Sequence, residues 1–169
     1  MPHNEGVTPT HGPLLVVRGT DLTTQQFHDL LKLRVEVFIV EQGDPYQAVD
    51  GVDLLPSTRH LWIERAGAIA AMIRLVVWTP EEGAAPVWRI GAVITAPEAR
   101  GQGLAARLIS KALALTLTEV PDRDVVLHAQ AHLADWYGQF GFRVEGEEHL
   151  DGSIRHLWMR LPRAGRSIQ

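Results

Sequence analysis

One segment in the middle of the chain restricts the fold more than any other. An apolar, β-branched run over 87–95 is followed by a turn that holds Gly101 and Gly103, and then by apolar residues at helical spacing from 103 to 118. The run predicts a buried strand, and the spacing predicts a long helix. A strand that leads through a glycine turn into a helix is typical of α/β proteins, in which helices cover a sheet.

The other predicted elements extend this segment into a mixed sheet. Thr23 and Gln26 have the spacing of a capping box, which predicts a helix that runs to about Val40. A short helix is predicted over 133–140, and 43–58 is predicted to be a long loop. Further strands are predicted at 14–17, 60–64, 69–78 and 125–127, with a hairpin over 144–161 that turns at Asp151 and Gly152. The order β-α-β-β-β-α-β-α-β-β predicts an α/β fold, with a mixed central sheet of about seven strands and helices on both faces.

Length and composition exclude several classes of protein. The 169 residues predict one domain over 13–162 between loose tails at 1–12 and 163–169. The net charge of −4 argues against a nucleic-acid partner, whose binding needs a basic face. The chain has no cysteine, which excludes disulfides and a cysteine nucleophile. We see no signal peptide and no apolar run long enough to cross a membrane, so we expect a cytoplasmic protein.

The glycine turn also predicts a site for an anion. Unpaired backbone N–H groups and the helix dipole favour negative charge at the start of a helix. Gly101 and Gly103 would let a phosphate approach the backbone closely, and Arg100 would add a positive charge. The turn therefore predicts a pyrophosphate site, although on physical grounds alone an ordinary glycine turn explains it equally well. The P-loop and the dinucleotide fingerprint are both absent.

Three segments resemble one family of enzymes. Arg100-x-x-Gly103-x-Ala105 fits the Gln/Arg-x-x-Gly-x-Gly/Ala signature of the GNAT (Gcn5-related) N-acetyltransferases. The segment 33–53, which begins Leu33-Arg34-x-x-Val37-Phe38, is similar to the first helix and loop of the ElaA-like branch. The segment 129–142, with Trp136-Tyr137-x-x-Phe140-Gly141-Phe142, is similar to its C-terminal half. The resemblance covers roughly 14–161.

The resemblance implies that acetyl-CoA is the cosubstrate and that the acetyl group passes directly to an amine. It also implies that two strands, 87–95 and 125–129, separate to form a slot for the pantetheine arm. The backbone that would pair with this arm is that of Val93, Ile94 and Thr95. The amides that would hold the pyrophosphate are those of Arg100, Gly101, Gln102, Gly103, Leu104 and Ala105. Arg107 and Lys111 are candidates for the 3′-phosphate, although we favour a solvated helix face for this pair.

The resemblance also assigns Tyr137 a role, because many GNAT enzymes direct a tyrosine of this short helix at the thioester sulfur. An aromatic core residue is the alternative. At pH 7 an amine with an ordinary pKa of about 10.4 must lose a proton at a cost of roughly 4.6 kcal/mol. The candidates for a base are Glu41, Asp53, His60 and His132, each of which is equally well a surface carboxylate or a structural histidine.

Metal and partner predictions follow from the same residues. His128 and His132 are four apart but belong to a strand and a helix, and no carboxylate at motif spacing completes a site, so we predict no metal. Four acidic residues in or next to the long loop would form either a rim for a cationic acceptor or an exposed surface: Glu41, Asp44, Asp50 and Asp53. We predict a small-molecule amine as acceptor. A CoA-binding module without catalysis and a protein lysine or N-terminal acetyltransferase are the alternatives, and the five tryptophans are compatible with a homodimer as well as with a core.

Overall fold

The predicted strands assemble into a single sheet in the computed structural model, which describes residues 12–163. In chain order the strands are β1 (Leu14–Arg18), β2 (Arg59–Arg65), β3 (Ala68–Trp78), β4 (Val87–Thr95), β5 (Val125–Gln130), β6 (Arg143–Asp151) and β7 (Ile154–Leu161). The spatial order is β1-β2-β3-β4-β5-β7-β6, in which β4 and β5 run parallel and the other neighbours run antiparallel. The prediction of a mixed sheet of about seven strands is therefore confirmed.

The helices are α1 (Thr24–Arg34), α2 (Leu104–Glu119) and α3 (Ala134–Gly138). Successive side chains of a strand point to opposite faces of its sheet. In β2, Arg59 pairs with Glu119 at the end of α2, and its neighbour His60 lies beside Asp53, which pairs with Arg34 of α1. The helices α1 and α2 therefore cover opposite faces, as predicted.

Helix α1 begins at the predicted capping box and changes its hydrogen-bonding pattern where it was expected to continue. The Thr23 hydroxyl accepts from the Gln26 backbone, and the Gln26 side chain accepts from the Thr23 backbone. From Val35 to Glu41 the chain is π-helical. This segment is rich in β-branched residues, which favour an α-helix less because their side chains crowd the preceding turn. The π-helical turn was not predicted.

The two parallel strands at the centre of the sheet separate after a short contact. Trp88, Arg89 and Ile90 of β4 are in register with β5, and the pairing stops there. On its other edge β4 stays paired with β3 up to Thr95, with one bulge at which Ala92 has a φ of +48°. A bulge bends its strand and increases the local twist, so it directs the second half of β4 away from β5.

The core lies on both faces of the sheet and includes two of the tryptophans. Trp62 and Trp88 are buried, whereas Trp78 and Trp158 stack on each other with ring centroids 5.1 Å apart. Arg163, the first residue of the predicted C-terminal tail, donates hydrogen bonds to Asp124 and Thr116. The rest of both predicted tails, apart from Gly12, lies outside the described residues. Within 12–163 no helix has the length and apolarity to cross a bilayer.

Candidate active site

The separation of β4 from β5 leaves a backbone edge without a strand partner. Beyond Ile90, the side of β4 that faces β5 is in register with no residue of that strand. Unpaired backbone groups in a fold need a hydrogen-bonding partner, either water or a ligand. Val93, Ile94 and Thr95 lie along this edge, so an extended ligand with amide groups can pair here in the manner of an added strand.

The edge of β4 leads to an N-terminus of α2 that has no side-chain cap. Gly103 occupies the N-cap position with a φ of +73°, and Gly101 has a φ of +74°. Glycine adopts this left-handed conformation without the strain that other residues incur. Within 12–163, no heavy atom other than those of the adjoining residues lies within 4 Å of a Cβ built at either glycine, so the space beside the backbone is open there. The first turn of α2 contains no acidic residue. These features fit a bound phosphate.

The positive charge of Arg100 is already paired with a carboxylate. Its guanidinium forms a two-pronged ion pair with Glu41, with N–O distances of 2.7 and 2.8 Å, and also donates to the Thr95 carbonyl. The pair joins the π-helical segment to the glycine turn. Gln102 is held in turn by the Arg65 guanidinium. Since Glu41 neutralises Arg100, the backbone amides and the helix dipole provide the main attraction for an anion at this turn.

A cavity of about 380 Å³ opens beside the unpaired edge. Gly91, Ala92 and Val93 of β4 form one wall, and residues 128–130 of β5 form the opposite wall. Tyr137 of α3 lies in the same lining and is 5% exposed. Burial raises the pKa of Tyr137 to about 12, so the phenol is neutral at physiological pH. Its ring packs edge-on against Trp136 and Phe142.

The four residues predicted as candidate bases do not line this cavity. Glu41 is held by Arg100, and the hydrogen bonds of this pair keep the pKa of Glu41 below its usual value. His132 is exposed in the turn before α3. His60 is fully buried, and its Nε2–H donates to the Asp53 carbonyl at 2.8 Å.

Asp53 belongs to a buried ion cluster instead of a catalytic pair. Its carboxylate accepts from Arg34 at 2.7 Å and from Arg74 at 2.9 Å, and Arg74 also binds Asp50. Burial alone would raise the pKa of Asp53, but the two guanidinium groups outweigh it and hold the pKa below its usual value. Three of the four acidic residues proposed for an acidic rim, Glu41, Asp50 and Asp53, are therefore paired with arginines, and Asp44 lines the cavity.

Two cavity residues were missed from the sequence although a signal was present. Arg89 lies between buried Trp88 and Ile90, and Arg74 lies in an apolar stretch of β3. A lone charge in a buried strand indicates a specific partner or a site. The Arg89 guanidinium lies over the rings of Trp78 and Trp158, at 5.3 and 5.2 Å from their centroids, which is the geometry of a cation–π contact.

A second cavity of about 480 Å³ lies on the α1 face of the sheet. It is lined by α1, by the turn between β2 and β3 and by 96–98, and it contains neither Tyr137 nor the unpaired part of β4. Tyr137 and the start of the unpaired part of β4 are therefore together in the cavity beside β5.

A seven-stranded mixed sheet that opens between two parallel strands defines the GNAT class of acyltransferase folds. Comparison with known proteins agrees with this assignment. Residues 20–162 match the acetyltransferase (GNAT) domain family. The chain belongs to the GNAT acetyltransferase family and to its ElaA-like branch.

The relatives cover most of the chain. Protein ElaA of Escherichia coli is 36% identical over 140 residues, which are 83% of this chain and 90% of ElaA. UPF0039 protein Rv2851c of Mycobacterium tuberculosis is 44% identical over 150 residues, which are 88% of this chain and 92% of that protein. The crystal structure of an acyl-CoA N-acyltransferase from Pseudomonas aeruginosa superimposes with a TM-score of 0.80 at 41% identity, over 88% of this chain and 97% of that one.

Proposed function

We propose that this protein is an N-acetyltransferase that transfers the acetyl group of acetyl-CoA to the amine of a small molecule. One observation carries the proposal. The unpaired edge of β4 runs from the cavity that contains Tyr137 to the uncapped N-terminus of α2. A single extended molecule with a diphosphate at one end and a thioester at the other matches both ends. The Pseudomonas aeruginosa neighbour, named an acyl-CoA N-acyltransferase, supports the same class of substrate.

The backbone supplies most of the proposed contacts to CoA. The backbone of Val93, Ile94 and Thr95 hydrogen-bonds the pantetheine amides, and the amides from Arg100 to Ala105 bind the diphosphate. In this arrangement Arg100 and Glu41 fix the turn, because their pair ties it to the π-helical segment. Arg107 and Lys111 lie on α2, and the Arg107 Nη1 is buried with no hydrogen-bond partner among the described residues. An unpaired guanidinium nitrogen of this kind favours a role for Arg107 at the 3′-phosphate.

The reaction needs an amine and a thioester held at bonding distance. The nitrogen lone pair forms the new C–N bond at the thioester carbonyl, the C–S bond breaks, and the sulfur leaves as a thiolate that must finally gain a proton. Alignment of two reactants in one cavity supplies roughly 7–11 kcal/mol of barrier reduction. The Tyr137 hydroxyl donates a hydrogen bond to the sulfur as negative charge develops on it.

The proton on the incoming amine is lost without the four candidate bases. Glu41 and Asp53 are paired with arginines, His60 is enclosed, and His132 lies outside the cavity lining. Transfer of an ammonium group from water into a partly apolar cavity lowers its pKa, since burial disfavours the charged form. We assign the deprotonation to this desolvation, with water as the proton acceptor.

The long loop supports a small acceptor over a protein one. Asp44, Tyr46, Asp50 and Val52 of this loop line the cavity. In the proposed complex this loop lies beside the acceptor and limits its size. A cavity of about 380 Å³ is in the range that holds one small ligand. A protein lysine would need an open groove at the same place.

The test is an acetyl-transfer assay over a panel of small amines, which follows release of the CoA thiol with a thiol-reactive dye. The chain has no cysteine, so it contributes no thiol to the signal. We expect thiol release that depends on one class of amine, together with the acetylated amine by mass spectrometry. CoA binding without thiol release for any amine would identify a sensor, and transfer restricted to lysine peptides would identify a protein acetyltransferase. Either result would refute the proposal.

A further inference from the structure

Four side chains from three strands meet at the end of the cavity next to β6 and β7. They are His128 of β5, His149 and Asp151 of β6 and His156 of β7. One donor atom each from His128, Asp151 and His156 lies within 4.8 Å of the other two. The Nδ1 of His128 is 3.6 Å from an oxygen of Asp151. All three of these residues line the cavity.

Backbone carbonyls fix the tautomers of two of these histidines. A carbonyl oxygen only accepts, so the ring nitrogen that contacts it carries the proton. The Nδ1 of His156 is 3.0 Å from the Ile154 carbonyl, and the Nδ1 of His149 is 3.3 Å from the Glu147 carbonyl. In the neutral rings of His149 and His156, Nε2 therefore carries a lone pair and no proton.

The third tautomer follows from the contact between two rings. The Nε2 atoms of His128 and His149 are 2.8 Å apart, so one of them must donate. His149 has only a lone pair there, so His128 carries its proton on Nε2 and a lone pair on Nδ1. This Nδ1 faces the Asp151 carboxylate. Both are hydrogen-bond acceptors, so neither can donate a hydrogen bond to the other.

We propose that His128, Asp151 and His156 form a binding site for a divalent transition metal of the Zn²⁺ type. Two neutral imidazoles and one carboxylate are an established ligand set for this ion, with one position left for water or substrate. Ligand atoms in a tetrahedral zinc site are about 3.4 Å apart, so the present spacings require a closure of about 1.4 Å or less. The hydrogen bond from His128 to His149 would orient the ligand, as carbonyls and carboxylates commonly do for metal-bound histidines.

The sequence prediction of no metal rests on His128, on His132 and on the lack of a carboxylate at motif spacing. His132 is exposed and takes no part in this group. The partners of His128 come from the last hairpin, where the pairing of β5 with β7 and of β7 with β6 brings them together. The Arg89 guanidinium lies in the same cavity and opposes a bound cation, and the Asp151 carboxylate offsets this charge.

The test is a Zn²⁺ titration by calorimetry on the chelator-treated full chain, and it does not depend on acetyl transfer. We expect one Zn²⁺ per chain and a visible absorption spectrum of coordinated metal when Co²⁺ replaces Zn²⁺. In Asp151→Asn and His156→Gln the dissociation constant should rise at least about tenfold. The matched control is His132→Ala, which removes an exposed histidine outside the group and should bind like the wild type.

The Asp151 side chain is 60% exposed, so its substitution leaves the fold intact and keeps the test valid if His156→Gln unfolds. Circular dichroism confirms the fold of each variant. Absence of Zn²⁺ binding by the wild type would overturn the proposal. So would binding that Asp151→Asn leaves unchanged, since the ion would then be held elsewhere, for example by the histidines of the N-terminal segment.

Discussion

Replacement of Tyr137 by phenylalanine tests how the leaving thiolate is stabilised. The variant keeps the ring contacts with Trp136 and Phe142 and removes only the hydroxyl, which makes no hydrogen bond to another described residue. We therefore expect the fold and the affinity for acetyl-CoA to be unchanged.

The pKa of Tyr137 determines the size of the expected effect. A phenol with a pKa of about 12 is a weaker acid than a thiol of pKa about 8.5. Full proton transfer from Tyr137 to the thiolate is thus uphill by about 3.5 × 1.36, or roughly 4.8 kcal/mol. The hydroxyl acts as a hydrogen-bond donor to a charged group, which contributes about 1.5–3 kcal/mol. Its removal should lower kcat by about 10- to 150-fold.

The assay measures kcat by thiol release and the acetyl-CoA dissociation constant by calorimetry, for Tyr137→Phe and for the control Thr118→Val. Thr118 is exposed on α2 and does not line the cavity, so loss of its hydroxyl should change kcat by less than about twofold. A kcat near that of the wild type would remove Tyr137 from the reaction. A loss above about 1000-fold would contradict the hydrogen-bond account and indicate full general-acid catalysis.

Two further predictions concern the carboxylates. Asp53→Asn leaves two guanidinium groups without the carboxylate that they share. In urea titrations at pH 7 it should lower the free energy of unfolding by about 3–5 kcal/mol. The control Asp135→Asn, at an exposed position, should leave the free energy of unfolding unchanged. Folding lowers the pKa of Asp53, so its contribution to the free energy of unfolding is fully present above the unfolded pKa of about 3.9 and is lost as the pH falls below that value. A difference in unfolding free energy between wild type and variant that stayed constant down to about pH 2 would contradict the pairing. Glu41→Gln should leave the urea midpoint of unfolding close to that of the wild type, since the pair with Arg100 is exposed and screened by water, and should leave the shape of the kcat–pH profile unchanged. Loss of the acidic limb of that profile would instead identify Glu41 as the base.

Local patterns predicted most of the secondary structure. The capping box at Thr23, the alternation of apolar runs and the glycine turns depend on neighbours in the chain, so their signals are present in a short window of sequence. The π-helical turn over Val35–Glu41 was missed because the spacing of its apolar residues also fits an α-helix. The separation of β4 and β5 came from the family resemblance, and the structure adds its physical cause, the bulge at Ala92.

The side-chain pairs of the site could not be predicted from the sequence, because their members are far apart in the chain. Glu41 and Arg100 are 59 residues apart, and the charges around Asp53 come from α1, the long loop and β3. Candidate bases were chosen by residue type, whereas pairing and burial decide which carboxylate or imidazole reaches a substrate. The group formed by His128 and the last hairpin likewise depends on strand register across the sheet.

In the proposed complex, the diphosphate of CoA binds to the open backbone amides at the start of α2. Calorimetric titration of CoA into the wild type, Gly103→Val and Gly83→Val measures this contact. Gly83 has a φ of +80° and open space around it, so valine imposes the same backbone strain there, in a loop away from the site. We predict one CoA per wild-type chain, a similar affinity for Gly83→Val and a loss of more than about tenfold for Gly103→Val. Absence of CoA binding by the wild type, or equal affinities for the two variants, would contradict the account.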